Sequence, residues 1–354
     1  MQFKLNPKID AWASGRVLRL VAVAGLFLNI SFLLVSDYIG RLDDFIQIPQ
    51  SQYFGVDNFA LQIARGDGIA PYRSRLLFPW VAISIDHVDN LTVNQLSLAQ
   101  IHFCLYIFLI ASSLVAIQRM LEAFGFSFAV SLSGALIFAL LLPIGMRDHG
   151  YQPWSWVEIV LLPIFIERVM RGKSLWQLVA LALLSSLNRE TALFLPVIPL
   201  SVAVARGNLR SQRFLILAAL STTFVVFAVR IGLTTVWPGP TPLRELSLQE
   251  IWKWNREPER LAKARSNLIV LFSSLSLLAI IGVLRRRVRR EAIYIFLFLS
   301  PLYLGIYVVY ALWNEVRVLV PVAILILPIS LSCFVNDSRQ NFQVVNESSA
   351  FRSS

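Results

Sequence analysis

Four groups of ionisable or polar side chains lie beside long apolar stretches. They are Asp57; the arginines of Pro71-Tyr72-Arg73-Ser74-Arg75; the triplet Asn188-Arg189-Glu190; and Asn314-Glu315-Val316-Arg317. A carboxylate held at the edge of an apolar phase can serve as a proton acceptor, its pKa tuned by partial burial. Arginine keeps its charge in a low dielectric and grips phosphate or carboxylate through two parallel N–H donors. Ionisable groups at such an edge are costly to desolvate, so several gathered on one face point to a polar cavity that handles a charged substrate. The competing reading is that each charge snorkels to water from an interfacial position. Asp148, His149 and Tyr151, in the loop after a third long apolar stretch, either line the same cavity or belong to a solvated loop.

The elements that must position these groups are membrane helices. The chain has 354 residues, 56% of them hydrophobic and only 15% charged, with a mean hydropathy of +0.65. That is too apolar for an ordinary water-soluble domain. Stretches near Val17 to Ser36, Leu98 to Gln118, Ser127 to Gly145, Phe214 to Thr234, Asn267 to Leu284, Ala292 to Leu312 and Val316 to Val335 suit the roughly 30 Å hydrocarbon core. Shorter ones lie at Leu76 to Ile85, Trp154 to Ile166, Leu175 to Leu187 and Thr191 to Ala205. Their solid Leu, Ile, Val and Ala composition reads as helix and not as the alternating strands of a barrel. The expected fold is an all-α polytopic bundle of about nine to eleven membrane helices, short re-entering ones included. It forms one domain over residues 1–335, with outer loops 37–97 and 235–266 and a Ser- and Asn-rich tail, 336–354, expected to be disordered.

Basic residues orient the bundle. With the N-terminus in the cytoplasm, Arg119, the Arg168-Arg171-Lys173 group, the Arg206-Arg210-Arg213 group and the run Arg285 to Arg290 all fall inside, as the positive-inside rule requires. The net charge of +11 therefore reports topology, and nucleic acid is not an expected partner. This threading sets the four site motifs on the outer side. It also dictates the path of Leu175 to Ala205. A continuous helix there would reverse every later loop, so we expect two short re-entering helices with Asn188-Arg189-Glu190 at their apex. In the outer loops, residues after Asp57 suggest a short surface helix ending at Gly66 and Gly68. Trp237-Pro238-Gly239-Pro240 suggests a turn, followed by a capping box at Ser247 and Glu250 and an anchor of Ile251, Trp252 and Trp254. Cys104 and Cys333 lie within apolar stretches and read as packing residues; His87, His102 and His149 have no metal-ligand spacing; and no Gly-rich phosphate loop is present.

Three stretches give the chain a resemblance. Asp57-Asn58-Phe59-Ala60-Leu61-Gln62-Ile63-Ala64 leading to Pro71-Tyr72-Arg73-Ser74-Arg75-Leu76-Leu77-Phe78-Pro79, then Asn188-Arg189-Glu190-Thr191-Ala192, then Asn314-Glu315-Val316-Arg317, resemble in order and sidedness the bacterial membrane proteins of the GT-C glycosyltransferase superfamily, in the branch related to polyprenyl-phosphate-sugar-dependent transferases. The family often carries two adjacent acidic residues in its first outer loop. Here the second position is Asn58, while Asp43-Asp44 keeps an acidic pair without the downstream pattern. The resemblance implies sugar transfer from a polyprenyl-phosphate donor to a glycan or lipid acceptor, at the outer face of a bacterial inner membrane with both termini cytoplasmic. It implies Asp57 as catalytic base, with Arg73, Arg75, Asn188, Arg189, Glu190, Glu315 and Arg317 as substrate-binding residues; Asp148 and Tyr151 join them as the loop residues that could line the same cavity. No protein metal site is assigned; the carboxylates of the first outer loop leave a divalent cation open. A transporter or flippase of a lipid-linked saccharide, or a non-catalytic membrane scaffold, are the alternatives. For Arg189 with Glu190, and for Glu315 with Arg317, so is a purely structural ion pair.

Overall fold

The computed structural model describes residues 7–36, 75–92, 98–145, 153–207, 209–236, 252–253, 255–285, 288–310 and 316–334. Among them the chain is helical, with no strand. The helices are α1 (Pro7–Ser36), α2 (Leu77–Thr92), α3 (Leu98–Ala123), α4 (Phe128–Gly145), α5 (Pro153–Met170), α6 (Leu175–Asn188), α7 (Val197–Ala205), α8 (Arg213–Val236), α9 (Pro258–Leu284), α10 (Arg290–Tyr310) and α11 (Val320–Leu331). Three stretches, Gln100–Ala123, Arg213–Val236 and Arg290–Val309, are long and apolar enough to cross a membrane, which is consistent with a membrane location. Asp57, Arg73, Asp148, Tyr151 and Glu315 lie outside the described residues, as do the expected surface helix after Asp57, the turn at Trp237 and the capping box at Ser247.

α11 is the axis of the bundle. Every residue from Val320 to Leu331 is buried, so a helix apolar on all sides has no solvent-facing stripe to satisfy. α9, α10 and α4 pack around it, while α3 packs on α5 and carries α1 on its outer flank. Close approach is bought with small residues: a Cβ placed on Gly282 of α9 would lie 2.5 Å from the Ile329 carbonyl oxygen of α11, and one on Gly134 of α4 would lie 2.5 Å from a Leu331 methyl. α8 faces outward with Leu217, Leu220, Phe224, Phe227 and Ile231, which are exposed at near-helical spacing, as a lipid-facing surface would be.

α9 begins at Pro258, before the apolar stretch that opens near Asn267. Pro at the first helical position with Glu259 in the first turn is a good helix start. Cys333 is buried as expected, but Cys104 is exposed on α3 and packs nothing away from the surface.

Polar contacts fix which helix ends lie together. The Arg206 guanidinium donates to the Met170 carbonyl at the end of α5 (3.3 Å) and pairs with Glu291 at the start of α10 (3.4 Å). Arg285 donates to the Cys333 carbonyl beyond α11 (3.1 Å), and Arg171 faces Glu122 near the end of α3 (4.0 Å). The Arg-rich turns thus gather at one end of the bundle. The path of α6 and α7 follows from the same contacts. α6 starts five residues after Met170 and rises about 20 Å at 1.5 Å per residue. At its far end Arg189 bonds Ser155 and Glu158 in the opening turns of α5, and Arg206, just past α7, is back at Met170. α6 and α7 are therefore the two arms of a hairpin with both feet at the arginine-rich end. A continuous helix from Leu175 to Ala205 would carry Arg206 more than 40 Å from its start.

Candidate functional site

The apex of this hairpin is where sequence-predicted and unpredicted polar residues meet. α6 ends because the chain turns to extended backbone at Arg189 (φ −159°, ψ 155°), passes through a 3-10 turn over Glu190–Phe194 and meets Pro196. Proline has no N–H with which to continue a helix and sits comfortably as the residue that opens the next one. The break leaves carbonyls at the end of α6 without their i+4 donors. Two of them recruit neighbours from distant parts of the chain. Leu187 accepts from the backbone N–H of Leu76 (2.8 Å), and Ser186 accepts from the Arg230 guanidinium of α8 (3.2 Å). Three guanidiniums, those of Arg75, Arg189 and Arg230, consequently converge on the negative end of the α6 dipole.

They are divided between two carboxylates. Glu158 sits inside α5 and is buried. It accepts from Arg189 Nη1 (2.7 Å), Thr191 Oγ1 (2.6 Å) and Tyr303 Oη of α10 (3.1 Å), while Arg189 also reaches Ser155 Oγ (3.4 Å). Phe194 meets the Tyr303 ring edge-on, centroids 5.2 Å apart. This inner network ties the hairpin tip to two surrounding helices, and a narrow cavity beside it is lined by Glu158, Asn188, Arg189, Thr191 and Tyr303 among others. Asn188 itself is buried.

Glu190 forms the outer network. Its Oε2 lies 3.1 Å from Arg75 Nη2 and its Oε1 lies 2.7 Å from Arg230 Nη2, so one carboxylate bridges two guanidiniums. The arginine side chains are only 9% and 13% exposed, whereas that of Glu190 is 38% exposed. Arg75 is set in place by the Leu76–Leu187 bond and by the aromatic packing that follows it. Phe78 of α2 stacks on Tyr106 (5.7 Å) and lies against His102 (5.3 Å), and Tyr106 meets Trp156 of α5 (6.3 Å). Arg317 lies on the 3-10 turn Val316–Leu319 that leads into α11, at the end of α11 away from Arg285.

The structure therefore brings together Arg75, Asn188, Arg189 and Glu190. It corrects one expectation: the alternative pairing of Arg189 with its neighbour Glu190 does not occur, because the extended backbone at Arg189 sends the two side chains to opposite networks, Arg189 to Glu158 and Glu190 to Arg75 and Arg230. Glu158, Arg230 and Tyr303 were not anticipated. The signal was present for two of them: a lone carboxylate in the apolar stretch Trp154 to Ile166 and a lone arginine in Phe214 to Thr234, each too costly to desolvate without a purpose. Tyr303 gives no such sign, since tyrosines are common in apolar helices.

Among the described residues, no group of three or more His, Cys, Asp or Glu side chains is placed to hold a metal ion. No protein-family model, no curated protein and no solved structure matches the chain.

Proposed function

We propose that the chain is an integral membrane glycosyltransferase of GT-C type, which moves a sugar from a polyprenyl-phosphate donor to a glycan or lipid acceptor at the extracytoplasmic face of a bacterial inner membrane. The observation that carries this reading is the outer network: two largely buried guanidiniums bridged by a more exposed carboxylate, at the end of the bundle opposite the arginine-rich turns. By the positive-inside rule that end faces away from the cytoplasm, with both termini inside.

In this reading, Asp57 takes the proton from the acceptor hydroxyl as its oxygen bonds to the anomeric carbon. The bond from that carbon to the phosphate oxygen breaks on the opposite side, inverting the configuration. The departing polyprenyl phosphate gains negative charge, which Arg75 and Arg230 stabilise through preorganised donors in a low dielectric. Arg73 and Arg317 are the further candidates for the phosphate, and Asn188, Asp148, Tyr151 and Glu315 the polar candidates for the acceptor. Arg189 and Glu158 hold the hairpin tip in position. The isoprenoid tail lies along the apolar flank of the bundle.

One observation favours a second reading. A re-entering hairpin with charged residues at its tip is also how secondary transporters build substrate sites, and a flippase of a lipid-linked saccharide would use the same anion grip. The two separate on bond chemistry. Purified protein in lipid nanodiscs, given a labelled polyprenyl-phosphate sugar and membrane acceptors, forms a glycosidic product under the first reading, and Asp57→Asn forms none. Under the second reading, vesicles move the labelled lipid across the bilayer with no product formed.

A further inference from the structure

The outer network has an asymmetry that a structural ion pair does not need. In the inner network both charges are buried and the carboxylate is embraced from three elements. In the outer one the cations are the less exposed members, Arg230 held by the Ser186 carbonyl and the main chain beside Arg75 held by the Leu76–Leu187 bond, while the anion is the more accessible member. Glu190 also opens a 3-10 turn, whose i→i+3 hydrogen bonds have poorer geometry than those of an α-helix. A carboxylate with one oxygen on each arginine occupies the positions that two oxygens of a tetrahedral phosphate would take.

We infer that Glu190 is a displaceable internal counter-ion, which neutralises Arg75 and Arg230 when the site is empty and swings toward solvent when a substrate phosphate takes its place between them. Two guanidiniums held close together in a poorly hydrated site demand an anion between them, and Glu190 supplies it only while no phosphate does. Each binding event must therefore first break both ion pairs, of which the one with Arg75 is also a hydrogen bond. Glu190 therefore sets the affinity of the site from below: it weakens phosphate binding and so favours release of the phosphate-bearing product. The inference rests on the proposed function only for the lipid that carries the phosphate.

The sign of the effect makes it testable. The full-length protein in nanodiscs is titrated with polyprenyl phosphate, with inorganic phosphate and with uncharged polyprenol, as wild type, Glu190→Gln, and Glu190→Gln combined with Arg230→Gln. Removing a competing charge-assisted pair predicts that Glu190→Gln binds polyprenyl phosphate about tenfold more tightly or better, and that the added Arg230→Gln abolishes the gain. An equal gain for inorganic phosphate supports displacement with the free anion as ligand. A gain confined to polyprenyl phosphate supports it with a lipid phosphate as ligand. Unchanged or weaker binding by Glu190→Gln overturns the inference, as does an equal gain for polyprenol. Should Glu190→Gln not fold, Glu190→Asp, which retracts the carboxylate by one methylene, tests the same direction with a smaller gain. Tighter binding by Glu190→Gln in a protein whose wild type transfers no sugar refutes the transferase and leaves the counter-ion standing. Sugar transfer by wild type with unchanged binding by Glu190→Gln does the reverse.

Discussion

Glu158 is the residue on which the hairpin tip depends, and replacing it shows by how much. The carboxylate neutralises Arg189 and accepts hydrogen bonds from two hydroxyls, those of Thr191 and Tyr303, all in a buried setting. Glu158→Ala leaves a buried guanidinium without its counter-charge, at a cost of about 3–5 kcal/mol. It also removes the acceptor of two hydroxyls, each bond to the charged group contributing about 1.5–3 kcal/mol. The sum, about 6–11 kcal/mol, is comparable to the whole margin of many folded domains, so the tip releases locally before the bundle melts. Glu158→Gln keeps an acceptor for Thr191 and Tyr303 but loses the charge and sets an amide N–H against Arg189 Nη1, so it spares only the two hydroxyl bonds. Glu158→Leu combined with Arg189→Leu removes both charges together and recovers most of the loss. The assay is thermal unfolding in detergent, with thiol labelling of a cysteine placed at Asn188 in a background lacking Cys104 and Cys333. Labelling rises sharply in Glu158→Ala, moderately in Glu158→Gln and little in the double variant. Equal labelling and equal melting temperature in wild type and Glu158→Ala would show that the tip is held by other contacts.

Two other outcomes test the fold. Single cysteines at Lys173 and at Arg210, exposed residues near the feet of the hairpin, react with an impermeant thiol reagent from the same side of the membrane; reaction from opposite sides would restore the continuous helix. Gly282→Ala lowers stability by roughly 1–3 kcal/mol, because the new methyl meets the backbone oxygen of Ile329, which cannot rotate away. Gly25→Ala, at a position open on all sides, is the matched control, and equal melting temperatures for the two would contradict the close packing of α9 on α11.

The helices were legible because each needs an apolar run and little else, and α11 shows the limit of that signal. Its sequence is apolar on every side, so hydropathy finds the helix without revealing that it is the buried axis. The hairpin was legible for a different reason: a continuous helix from Leu175 to Ala205 would reverse every later loop and set the Arg285 to Arg290 run outside, against the charge rule, and at Pro196 the missing N–H gives the break a covalent cause. The partners at the apex were not legible. Arg189 and Glu190 are adjacent, and sequence alone cannot show that one extended residue turns them to opposite sides. Nor does it show that α6 leaves two carbonyls to be claimed by Leu76 and Arg230, residues on the far sides of the bundle in chain order. Such contacts come from tertiary packing, and only the isolated charges of Glu158 and Arg230 in apolar stretches hinted at them.

The central claim is that the apex grips the phosphate of a lipid-linked sugar while an outer carboxylate drives the transfer. It is tested most directly by mass spectrometry of lipid-linked sugars and surface glycans from cells lacking the protein, making wild type, or making Asp57→Asn or Arg230→Gln at matched membrane levels. The account predicts a glycan present with wild type, absent without the protein and with Asp57→Asn, and strongly reduced with Arg230→Gln, while its lipid-linked precursor accumulates. Identical glycan and precursor profiles in all four would contradict it.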